Sequence, residues 1–110
     1  MDKVLEKEFL KQVVLVRSHK AGVFMGTLKD FQATDNGYTV LLTDVTRIHH
    51  WKGANSLSEL ATIGVVDPKD SGNRFSHPTE IQMITEVKEI IKTTEKAHKN
   101  ILSGVRNWFD

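Results

Sequence analysis

The chain has no cysteine. That excludes a disulfide framework and every zinc site built on thiolates, and it suits a reducing compartment. A surplus of one charge sign is missing too: 15 Lys and Arg stand against 14 Asp and Glu, for a formal net charge of +1. Non-specific nucleic-acid binders depend on a large cationic surplus, so neither DNA nor RNA is an expected partner. No apolar run approaches the ~20 residues of a membrane span, so no membrane partner is expected either. The opening Met-Asp-Lys-Val-Leu-Glu-Lys has no apolar signal-peptide core, which makes the cytoplasm the expected location. Catalytic signatures are absent as well: there is no GxSxG, HExxH, GxxxxGKS or paired-carboxylate pattern, so no catalytic residue is assigned and no enzyme is expected. No repeat, low-complexity segment or linker divides the 110 residues, and one domain with one modest core follows.

What is present is ordinary for a folded chain: 26% charged and 39% hydrophobic residues, too apolar for a disordered one. Met1 to Lys11 is charged, with Val4, Leu5 and Phe9 on one weak helical face. A frayed lead-in and a docked helix both fit it. Gln12 to Ser18 reads as a first strand, with Val14 and Val16 on one face and Val13, Leu15 and Arg17 on the other. Val23 to Phe31 is a second, in which Gly26 marks a bulge or a close backbone approach. Asp35-Asn36-Gly37 is a hairpin signal. Tyr38 to Trp51 is a third strand, rich in β-branched and aromatic residues. Asp44 within it is read as a kink or bulge rather than a base.

Ser56-Leu57-Ser58-Glu59 fits a capping box and opens a helix over about Leu57 to Ile63. Asp67-Pro68 and Ser71-Gly72 mark a loop. Asn73 to His77 is a short extended piece. Ile81 to Ile91 alternates in the strand manner, as one bent strand or two short ones, with helix as the rival. Thr94 caps a last helix over about Glu95 to Ser103, and Gly104 stops it. The expected fold is α+β: an antiparallel sheet of about five strands with two helices packed on it.

The functional candidates cluster at the end of the third strand. Without a bulge, Arg47, His49 and Trp51 share one face. A guanidinium offers a planar fork to phosphate oxygens, and an indole stacks on a base. The competing reading is a Trp that plugs the core beside an exposed Arg and His. His49 and His50 point opposite ways on a strand and cannot chelate one ion together. His19, His77 and His98 show no ligand spacing with them, so no metal site is assigned. Asn73-Arg74-Phe75-Ser76 forms a second polar-aromatic cluster, with a loop Phe covering the sheet edge as the competing reading. Arg106 and Trp108 form a third, sharing a face only if the tail is extended, and the terminal aromatics Trp108 and Phe109 argue for docking. Phe24, between Gly22 and Gly26, is a further stacking candidate, although a core role is the commoner one for a strand Phe.

Three stretches carry a family resemblance. They are Ala21 to Gly26 (Ala-Gly-Val-Phe-Met-Gly), Arg47 to Ala61 with its Trp-x-Gly-Ala-x-Ser-Leu-x-x-Leu-Ala run, and the series Phe75, Pro78, Glu89-Ile90-Ile91 and Thr94-Glu95-Lys96-Ala97. Together they resemble the first type of phage Thoeris anti-defence protein and related small phage domains of unassigned function. The resemblance implies a molecular sponge. In Thoeris defence a TIR protein makes a cyclic ADP-ribose signal, and such sponges bind the glycocyclic signal without degrading it. It also implies cyclic di- or trinucleotides as further ligands, no cofactor, and a homodimeric or hexameric assembly in the infected bacterial cell. His49-His50 departs from the family pattern, where further aromatics are expected. The ligand-binding candidates are those the chemistry suggests independently: Phe24, Arg47, Trp51, Arg74, Phe75 and Arg106. A protein-interaction module without a nucleotide ligand and a nucleotide-cleaving enzyme are the two other function classes.

Overall fold

A computed structural model of the chain describes residues 3–106. The order is α1 (Lys3–Phe9), β1 (Val13–Ser18), β2 (Gly22–Thr34), β3 (Gly37–His50), α2 (Leu57–Ile63), β4 (Arg74–Phe75), β5 (Thr79–Lys92) and α3 (Glu95–Ser103). The fold is α+β as expected, with five antiparallel strands and a third helix, α1, beside the two anticipated. The lead-in is therefore a docked helix: Leu5, Phe9 and Leu10 pack on the core, whereas Val4 is exposed. Trp108, grouped with Arg106 in the sequence, and Phe109 lie outside the described residues.

The sheet closes on itself. β1 pairs with β2 and β5, and β3 pairs with the same two strands, so four strands form a ring. Closure demands sharp bends in the long strands, and two residues with positive φ sit where the bends fall: Asp44 in β3 (φ 52°) and Glu86 in β5 (φ 54°). Such bulges re-aim the strand and raise its twist. They also shift the alternation by one. Val40 and Leu42 point into the ring before Asp44, and Val45 does so after it; Ile84 and Val87 bracket Glu86 in the same way. Gly26 lies opposite the Asp44 bulge. A Cβ there would come within 3.0 Å of the Thr43 carbonyl oxygen and 3.4 Å of Val45 Cα, so the close approach requires a glycine.

Alternating residues feed two cores. One lies inside the ring and includes Val14, Val16, Phe24, Leu28, Phe31, Val40, Leu42 and Val45. The other lies on the outer face beneath α2 and α3, and takes Leu15, Met25, Ile48, Leu60, Phe75 and Ile101. Both helices start as the sequence predicts: the Ser56 hydroxyl accepts from Glu59 N–H and the Thr94 hydroxyl from Ala97 N–H. Asn100 ties α3 to the end of α2. Its amide accepts from Val65 N at 2.8 Å and donates to Val65 O at 2.9 Å. Gly64 (φ 79°) has to be a glycine twice over, because a Cβ there would collide with the Asn100 amide.

Candidate anion-binding cleft

Past the Asp44 bulge, β3 sends Val45, Arg47 and His49 to one face and Thr46 and Ile48 to the other. Ile48 and the fully buried Thr46 lie inside the fold, Ile48 in the core beneath the helices. Arg47 is Phe24's cross-strand partner, and its guanidinium carbon stands 4.7 Å from the Phe24 ring centroid. A cation over an aromatic face is held by the ring quadrupole, so Phe24 fixes Arg47 in place.

The short β4 completes the arrangement. Ile48 pairs with Phe75 and His50 with Arg74. Phe75 turns into the outer core, and its neighbours Arg74 and Ser76 line a cleft on the opposite side. The loop before β4 is pinned by Asn73, which is 2% exposed and accepts from Lys52 N–H at 2.6 Å while donating to Asp67 O at 2.8 Å. Ser76 N–H donates to Arg47 O at 2.9 Å, and the Ser76 hydroxyl lies 2.7 Å from His49 Nε2.

The cleft between these segments and the start of β5 has a volume of about 430 Å³. Arg47, His49, Arg74, Ser76, His77 and Gln82 supply its polar lining, Val45, Ile81 and Thr79 the rest. Among the described residues, no carboxylate lines the cleft. The ion pairs of the described residues lie elsewhere, at Arg17–Glu89, Lys20–Glu86 and Lys99–Glu95, which leaves Arg47 and Arg74 without an acidic partner among them. Burial holds the His49 imidazole below its ordinary pKa of 6.5, and the charges of Arg74, Arg47 and His50 lower it further. His49 is thus neutral at pH 7. Among the described residues, no group of three His, Asp or Glu side chains is placed to hold a metal ion.

The six candidate residues divide. Arg47 and Arg74 are brought together in the cleft, from opposite ends of the connection that carries α2. Phe24 and Phe75 are 0% and 1% exposed and belong to the two cores, so neither offers a face to a ligand. Trp51 does not share the face of Arg47 and His49. β3 ends at His50 after a register shift between Ile48 and His50, the alternation is lost there, and the indole packs half-buried in the outer core. The core role, weighed as the competing reading, is the one it has. Arg106 is exposed and its backbone N–H donates to Phe75 O at 3.2 Å, but its side chain is not part of the cleft lining. Conversely, His77 and Gln82 line the cleft without having been candidates, and Ser76 joins it from the Asn73-to-Ser76 cluster. The available signal was the alternation around Phe75: once Phe75 is buried, Arg74 and Ser76 must face the other way.

A family model described as a domain of unknown function (DUF6948) matches residues 11–101, and the chain belongs to that family. The matched span contains every strand and every residue that lines the cleft. No curated protein matches the chain.

Proposed function

We propose that this DUF6948 protein is a nucleotide sponge: it binds a glycocyclic ADP-ribose signal, keeps it intact and so blocks Thoeris immunity in the cytoplasm of a phage-infected bacterial cell. The observation behind this is the pair of guanidiniums, Arg47 and Arg74, that face one open cleft with no carboxylate among its lining. Two planar forks suit the oxygens of a pyrophosphate. A volume of about 430 Å³ falls within the ~300–1,000 Å³ common for small-molecule sites. The sequence resemblance supplies the choice of nucleotide. Among the described residues no Trp, Phe or Tyr lines the cleft, and the proposal rests the adenine on imidazole and guanidinium planes.

The proposal extends to cyclic di- and trinucleotides as further ligands and to a homodimer or hexamer as the assembly. Ile81 and Met83 of β5 are 59% and 66% exposed, and Met83 pairs with Leu41 of β3. This apolar stripe reaches the cleft through Ile81, and a second copy that covered it would remove it from water. Light scattering at micromolar concentration tests the assembly, and a monomeric mass rejects it.

Calorimetry with glycocyclic ADP-ribose tests the sponge. Binding is expected for the native chain and for Trp51→Ala, and is expected to weaken strongly in Arg47→Ala. No binding by the well-folded native chain ends the proposal for this ligand. The nucleotide should also come back unchanged after heat denaturation of the complex. A cleaved product would instead make His49 and Ser76 a base and a nucleophile, 2.7 Å apart, and the protein an enzyme.

A further inference from the structure

The cations of the cleft are not all of one kind. Arg47 and Arg74 are guanidiniums, whereas His49 is an imidazole, whose charge responds to its surroundings. His49 is faced by Arg47 and its neighbour His50 from β3 and by Arg74 from β4. The segment after β4 contributes Ser76 and His77, and β5 contributes the uncharged Thr79 and Gln82. No carboxylate is among these groups. Burial favours the neutral imidazole, and the like charge around it adds to that.

We infer, on the footing that this cleft is the nucleotide site, that loading it with a pyrophosphate draws a proton onto His49, which then serves as a third anion contact beside Arg47 and Arg74. A pyrophosphate brings two negative charges against the two guanidiniums. Those charges offset the guanidiniums, and an anionic phosphate oxygen brought beside His49 and Ser76 favours the charged imidazole. The proton comes from solvent. With both ring nitrogens protonated, Nε2–H donates to the Ser76 oxygen, and the Ser76 hydroxyl hydrogen is released to a phosphate oxygen. His49 thus acts as a specificity residue: it strengthens the hold on a doubly charged ligand and adds nothing for a neutral one.

The test is calorimetry with glycocyclic ADP-ribose, whose pyrophosphate stays ionised throughout, in PIPES and in Tris at pH 7. Buffer-dependent heats that report net proton uptake are expected. Affinity should fall as pH rises from 6 to 8, by at most about tenfold per unit. In His49→Gln both the uptake and the pH slope should vanish while weaker binding persists. An NMR titration of the native His49 ring, with and without the nucleotide, gives the same answer without a variant: its midpoint should move up on loading. Binding with identical heats in both buffers and an unmoved midpoint overturns the proton linkage and leaves the site standing. A native chain that does not bind the nucleotide overturns the site and the linkage together.

Discussion

The two faces of the sheet where β3 and β4 meet are made from neighbouring residues and do opposite work. On the helix side, Ile48 and Phe75 are buried with Leu60 and Ile101. On the cleft side, Arg47, His49, Arg74 and Ser76 stand between them in sequence and hold the polar chemistry. The period of two in a strand separates stability from site at single-residue resolution. One consequence is that substitutions one residue apart should affect different measurements.

The largest contrast is between Phe75 and Arg74. Phe75→Ala leaves a cavity in the outer core and should lower unfolding free energy by about 3–5 kcal/mol, read from denaturant curves. Arg74→Ala should move stability by no more than about 0.5 kcal/mol, as expected of an exposed side chain without a carboxylate partner among the described residues. It should instead cost about 1.5–3 kcal/mol of nucleotide affinity, roughly 10- to 150-fold, as for a charged hydrogen bond. If Arg74→Ala unfolds the chain, the division between the faces fails.

A smaller effect sharpens the same boundary. Thr46 is fully buried, and its hydroxyl has no hydrogen-bond partner among the described residues. Thr46→Val keeps the β-branched shape and removes the unsatisfied oxygen, so it should raise stability by up to about 1 kcal/mol without changing nucleotide affinity. A loss of stability on this substitution would mean that the hydroxyl has a partner in solution, such as water.

The smallest effect concerns pH. The folded chain holds His49 below 6.5, so the unfolded chain binds more protons in the window beneath that value. Stability should therefore be fully present above about pH 6.5 and decline as pH falls through the folded pKa. His49→Gln should flatten this part of the stability profile while leaving the rest unchanged; an unaltered profile would show that His49 titrates alike in both states.

The sequence by itself determined the elements. The hairpin at Asp35 to Gly37, the close approach at Gly26, the bulge at Asp44, the caps at Ser56 and Thr94 and the stop at Gly104 are local chemistry, written within a few residues of where they act. The preference for strand over helix from Ile81 to Ile91 also held, because β-branched content outweighed the helix-forming Glu and Lys. Only the tertiary structure decided which face meets what. Alternation placed Arg47 and His49 together, but it could not show that α2 and α3 cover Ile48 and leave Arg47 open. It misplaced Trp51, because β3 ends one residue earlier than expected. Phe24 and Phe75 read equally well as stacking platforms and as core, and burial settled them. The cleft itself joins His49 to Ser76, 27 positions further along the chain, through a two-residue strand. A contact of that range depends on how the sheet bends and closes, and no local spacing encodes it.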